Sequence, residues 1–379
     1  MLVHAKNAAN AETWREKAER VAAIAAASAS THDNEDSFVA DGYAALKDAR
    51  MFSALVPAEF GGGDATITEI CDAIRVIGAS CASTALAFSM HCHQVAIPAW
   101  RLKHQNAPTQ ALLRRIAAEE LILVSSGGND WLQSGGEALK VDGGFRVTAR
   151  KPFASGSVMG DLLMTSAIYD DHREGPVVLH FAVPLRSESV SLEQTWQVMG
   201  MRGTGSNDVV IKDFFLPEAA IGGRRPFGQW HVLFHIISKI AFAFVYAAYI
   251  GVAEQAAADA LAMARKRRPN TQTALLAGEL ENELLAARLA HKRMVEIAES
   301  SEPGPETTSE AMACRTLAGT HAINAVAKAL ELAGGSAFYR RNPIERAFRD
   351  IQAARFHPLQ EKPQEEFTGR VALGWNIDE

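Results

Sequence analysis

The sequence predicts an α+β protein in three parts: an N-terminal helical domain over residues 1–120, a middle antiparallel β-barrel domain over 121–222 and a C-terminal four-helix bundle over 223–379. Three observations predict it. Alanine-rich segments with helical spacing of apolar residues fill the first third. The spacing shifts to a two-residue repeat after Leu121, and the helical period returns after Gly222-Gly223 and persists. At 379 residues the chain can hold two or three domains with a large core.

The first helical part runs from Ala11 to about Arg115, broken at the polar residues 32–37 and the turn-rich residues 57–63. Within it, residues 83–99 form an apolar helix whose central polar side chains are Ser89, His91, His93 and Gln94. In the middle third Phe145, Val147 and Ala149 alternate with Arg146, Thr148 and Arg150, as in a half-buried strand, and residues 177–183 read as a more buried one. Gly143-Gly144, Asp170-Asp171 and residues 203–205 supply turns. Strands joined by tight turns pair antiparallel, which suggests a small barrel or sandwich. In the last third Leu280, Leu284, Ala287 and Met294 share one helical face, and Ala318, Ala322, Ala325, Ala329 and Ala333 form a small-residue stripe suited to close bundle packing. Residues 232–253 are apolar enough to suggest a membrane span, but they contain His235, Ser238 and Lys239 and run directly into Glu254. A buried helix is the better reading.

Hydrophobic residues make up 48% and charged residues 22%, which excludes disordered and coiled-coil classes. A net charge of −6 offers no footprint for nucleic acid or an anionic membrane. Cys71, Cys81, Cys92 and Cys314 lack C-x-x-C spacing, which argues against a disulfide framework or zinc site and for a reducing, cytoplasmic setting. The first residues mix acids with bases and read as neither signal nor transit peptide. Nucleophile-elbow, Walker and Rossmann glycine motifs are missing from the sequence.

Histidines are the obvious reactive groups. His91 and His93 stand two apart, about 200° around a helix, so they cannot share a metal and no metal site is expected. Taken alone, each is more simply a packed core imidazole. Ser125-Ser126-Gly127-Gly128, at a strand end, could aim backbone N–H groups at a phosphate or flavin edge, although such a run is more often only a turn. Residues 151–157 close the best strand with an aromatic, hydroxyls and a glycine, an edge suited to a planar cofactor. A plain turn is the simpler alternative. The basic run Arg265-Lys266-Arg267-Arg268 reads as a solvated helix end before it reads as a phosphate site.

Several motifs carry a family likeness. They are Leu55-Val56-Pro57-Ala58-Glu59-Phe60-Gly61-Gly62, the strand end at residues 151–156, and Trp196-Gln197-Val198-Met199-Gly200-Met201-Arg202-Gly203-Thr204-Gly205-Ser206 running on to Phe215-Leu216-Pro217-Glu218. Ala333-Gly334-Gly335-Ser336-Ala337-Phe338-Tyr339, Pro343-Ile344-Glu345-Arg346 and Arg349-Asp350 complete the set. In this order and at these spacings the chain resembles the acyl-CoA dehydrogenase superfamily of flavoproteins over essentially its whole length.

The resemblance implies a homotetramer and a flavin, FAD or FMN, contacted by Ser125, Ser126, Gly127, Phe153, Ala154, Ser155, Gly334 and Gly335. A dehydrogenase of this family needs a carboxylate to remove the substrate α-proton. The two positions where the family keeps it are Pro358 and Ala241 here, and neither accepts a proton. His357, His91 and Ser155 instead resemble the residues of the branch that hydroxylates with reduced flavin and O₂, which implies that these three are catalytic. The family's R-x-x-F-G motif is replaced by Arg265-Lys266-Arg267-Arg268-Pro269-Asn270. That departure fits reduced FMN or FADH₂ received from a separate flavin reductase. The resulting expectation is a two-component monooxygenase acting on a small molecule, with no nucleic-acid or membrane partner. Alternatives are an acyl-CoA dehydrogenase using Glu361 or Glu365 as an unusual base, and a catalytically inactive flavin-fold scaffold.

Overall fold

A computed structural model describes residues 12–126, 128 and 130–379. Five helices come first: α1 (Trp14–Glu35), α2 (Ala40–Asp48), α3 (Ile67–Ser80), α4 (Ala82–Gln105) and α5 (Gln110–Glu119). Thr13 with Glu16, and Thr66 with Glu69, form reciprocal capping boxes that start α1 and α3. α1 stops inside the expected polar break, at Asp36 in the left-handed conformation, and the turn-rich segment holds a 3₁₀ turn at Ala58–Phe60.

Eight strands follow: β1 (Leu123–Ser125), β2 (Glu137–Val141), β3 (Gly144–Lys151), β4 (Leu162–Asp171), β5 (Gly175–Pro184), β6 (Val190–Glu193), β7 (Asp208–Pro217) and β8 (Gly223–Pro226). Along β3 the expected alternation holds, with Phe145, Val147 and Ala149 buried and Arg146, Thr148 and Arg150 exposed. The antiparallel barrel is corrected to an open mixed sheet ordered β6-β7-β3-β2-β4-β5-β8, in which β1 and β2 both run parallel to β4. The reason lies in the link between β3 and β4. Residues 152–161 carry the chain past β2 before β4 begins, so these sequential strands are not joined by a tight turn and do not pair. The sheet also continues beyond residue 222, because β8 pairs with β5.

Three long helices come next, α6 (Val232–Ala264), α7 (Thr271–Ser300) and α8 (Pro305–Ala333), and then α9 (Pro343–Ile351) and α10 (Glu361–Leu373). The small-residue stripe of α8 is buried throughout, as are Leu280, Leu284, Ala287 and Met294 on α7. α6, α7 and α8 pack against one another, and the shorter α10 packs against α8. By length and composition α6 could cross a membrane, but here 94% of its most apolar window is buried within the protein. Two of its polar residues are satisfied locally: His235 bonds Thr308, and Lys239 donates to the Ser301 carbonyl. Because α6 packs against α3 and α4 as well as α7 and α8, one continuous core joins the first and last thirds, and the sheet keeps a separate smaller core.

Candidate functional site

His357 lies just beyond the 3₁₀ turn Gln352–Arg355, where Pro358 disfavours continued helix, and its ring leaves the backbone toward α6. Its Nε2 is 2.6 Å from the hydroxyl of Tyr249, which is fully buried. Tyr246, one helical turn earlier, donates to the Ala354 carbonyl at 2.7 Å, and Arg315 of α8 donates to the carbonyls of Ala354 and His357. α6 and α8 together therefore fix the backbone that presents the imidazole. Burial pushes the His357 pKa down to about 3, with Arg315 and His93 adding to the effect, so the ring is neutral at physiological pH.

Of the two α4 histidines, His93 is the one whose charge adds to the lowering of the His357 pKa. It sits close enough to His357 to depress its protonation, and its own pKa falls to about 3 through burial. Its Nδ1 is buried with no hydrogen-bond partner. His91 is otherwise engaged. The Leu123 N–H donates to its Nδ1 at 3.0 Å, so Nε2 carries the proton and donates to the Phe52 carbonyl at 2.7 Å. Both ring nitrogens of His91, which the family resemblance implied to be catalytic, bond backbone groups in this structure. It latches β1 to the segment after α2.

Ser155 belongs to a hydroxyl chain on the sheet side: its Oγ is 2.7 Å from Ser206 Oγ, which is 2.7 Å from Thr204 Oγ1, which donates to the Met201 carbonyl. Phe153 adopts φ +60, strained for an aromatic residue, and turns its exposed ring edge-on to Trp196. Gly156, at φ +76, leaves room for the Tyr43 hydroxyl, which a Cβ there would meet at 2.6 Å. Ala154 is different: its methyl is buried in the sheet core, so only its backbone is available to a cofactor.

Ser125 and Ser126 are both buried. Ser126 donates to Asp130 at 2.7 Å inside a polar cluster that the sequence reading missed. There Lys151, with no exposed side-chain surface, donates to Asp130 at 2.6 Å and to the carbonyls of Gly135 and Ser166. The pair anchors the loop that leads out of β1. Gly127 lies outside the described residues. Gly334 and Gly335 follow α8, where Arg267 donates to the carbonyls of Leu332 and Ala333. Among the described residues no hydrogen bond joins them to Ser155 or His357, and the one basic side chain beside Gly334 is already used as a helix cap.

The most specific sequence motif, around Gly200, is a three-way junction. A Cβ on Gly200 would lie 2.3 Å from the Arg349 carbonyl, the Met201 N–H donates to Asp350 at 2.5 Å, and Arg349 grips Asp33 of α1 with both terminal nitrogens. It ties the sheet to α9 and α1. Glu361 and Glu365, candidates for a substitute base, both face solvent on α10, and Glu365 is paired with Lys362.

The acyl-CoA dehydrogenase N-terminal domain model matches residues 8–120 and the C-terminal domain model residues 243–361. A pigment production hydroxylase from Rhodococcus sp. is 28% identical over 86% of this chain and 88% of its own. A cyclohex-1-ene-1-carbonyl-CoA dehydrogenase from Syntrophus aciditrophicus is 23% identical over 90% of this chain and 84% of its own. The crystal structure of FMN-bound TdsC from Paenibacillus sp. superposes with a TM-score of 0.82 at 18% identity, covering 97% of this chain and 99% of that one. With both family domains matched in order and the sheet between them, the chain belongs to the acyl-CoA dehydrogenase superfamily.

Proposed function

We propose that this protein is the oxygenase of a two-component flavin-dependent monooxygenase, using reduced FMN or FADH₂ and O₂ to hydroxylate a small molecule. One observation carries it. Where a dehydrogenase of this fold needs a carboxylate, this chain has two neutral imidazoles and a buried tyrosine, His357, His93 and Tyr249. The side chains that suit a planar, amphipathic ring system are an exposed Phe153 beside Trp196, the hydroxyls of Ser155 and Ser206, and the unpartnered His93 Nδ1. A bound flavin would supply the two-electron chemistry with O₂. The chain does the rest. Ser155 offers its hydroxyl to the edge of the ring system. His357 and His93 orient the substrate and exchange a proton with it. The apolar packing of α4 and α6 keeps water away.

The Rhodococcus relative is a hydroxylase, and the Paenibacillus structure holds FMN, both of which support the reading. With no dinucleotide glycine motif in the sequence, reducing equivalents come from a separate reductase. The working form is a cytoplasmic homotetramer, with three domains per chain and α10 as the fourth bundle helix. Anaerobic mixing of the FMN-loaded protein with butyryl-CoA or octanoyl-CoA tests it. The flavin should stay oxidised, whereas bleaching would restore the dehydrogenase reading. Failure to bind flavin in either redox state would leave only a scaffold.

A further inference from the structure

The Tyr249 hydroxyl and His357 Nε2 share a single hydrogen bond, and a proton must sit on one side of it. Tyr249 is fully buried on α6, and among the described residues its hydroxyl has no other acceptor, since neighbouring Tyr246 uses the Ala354 carbonyl. If His357 donated from Nε2, the phenolic proton would be stranded in an apolar core, which is the costly arrangement for a buried donor. If Tyr249 donates, the phenolic proton is placed, and the proton left without a protein acceptor sits instead on His357, which is only partly buried. The neutral imidazole then carries its own proton on Nδ1, which makes no hydrogen bond among the described residues and, on a half-buried side chain, is the nitrogen left for a ligand.

We propose that Tyr249 is a positioning residue that locks His357 in the Nδ1–H tautomer, so that His357 meets its ligand as a hydrogen-bond donor. It therefore does not start as a base. The inference rests on the functional reading above for what the ligand is, but not for the tautomer itself. A donor at this point selects substrates that bring an oxygen acceptor, such as a phenol, phenolate or carbonyl, to His357 Nδ1. It disfavours a ligand that has only an X–H group to offer there. Intrinsic preference does not explain the tautomer, because an unconstrained neutral imidazole exchanges between both forms.

Solid-state NMR of flavin-free, ring-¹⁵N-histidine protein reads the tautomer directly, with the His357 signals assigned by their loss in His357→Asn. The expected wild-type result is a protonated Nδ1 and an unprotonated, hydrogen-bonded Nε2. A protonated Nε2 in the wild type, or protons on both nitrogens at pH 7.5, would overturn the proposal. Tyr249→Phe should shift His357 toward Nε2–H with the circular dichroism spectrum unchanged. An unshifted tautomer in that folded variant would also refute the role of Tyr249. No flavin is present, so failure here is distinct from failure of the oxygenase reading.

Discussion

At neutral pH His357 is uncharged, because burial and the neighbouring Arg315 guanidinium both disfavour imidazolium, and it can therefore donate or accept without first losing a charge. His357→Ala should keep the fold and flavin affinity while turnover falls by roughly 10²–10⁴-fold, the usual range for losing a proton-transferring side chain. Wild-type turnover in that variant would make the ring structural. Ser155→Asp should weaken flavin binding, since a carboxylate would stand beside an electron-rich ring, and a flavin titration unchanged from wild type would remove Ser155 from the site. His357 was legible in sequence from Pro358 occupying the expected base position. Which of His91 and His93 bonds the backbone was not legible: both are buried on one helix, and only the partners Phe52 and Leu123 decide it. Tyr249 was hidden for a similar reason, as one of two tyrosines in a helix that is apolar nearly all round.

Within β3, the inward positions 145, 147 and 149 extend to 151, so strand parity places a lysine in the sheet interior. That signal was present in the sequence, but its partner Asp130 lies 21 residues earlier in an irregular loop and carries no pattern. Lys151→Met should strand the Asp130 carboxylate and cost about 3–5 kcal/mol in chemical denaturation, with much of the loss recovered when Asp130→Leu is added. If the double variant were as unstable as the single, the lone buried charge would not be the cause. Helix positions and the α7 and α8 faces followed from the 3.6-residue period. The parallel pairing of β1 and β2 with β4 did not, because alternation fixes which face is buried and says nothing about the neighbour's direction.

Over the whole molecule, the buried histidines set the response to acid. In the folded protein His91 and His291 protonate only near about 4, and His93, His180 and His357 near about 3, all lowered first by burial. Unfolded histidines protonate near about 6.5. Between these values the unfolded chain binds more protons, so stability falls as the pH drops from about 6.5 toward 4, by up to about 1.4 kcal/mol per pH unit for each such histidine. Asp350 works the other way, its carboxyl raised to about 6 by burial, but it is one group against five. Denaturant melts that hold steady or gain stability over that window would contradict the neutral histidine core.

The three-part order of the molecule was readable from periodicity, whereas the single core shared by the first and last thirds depends on α6 meeting α3 and α4, contacts between elements more than 120 residues apart in sequence. That shared core encloses the imidazole centre on which the oxygenase reading depends. Stopped-flow mixing of the protein, loaded anaerobically with reduced FMN, against O₂ tests that reading most directly. The account predicts that the flavin reoxidises in two resolved phases, the first dependent on O₂ concentration and the second independent of it. A single O₂-dependent phase at the rate of free reduced FMN would contradict it.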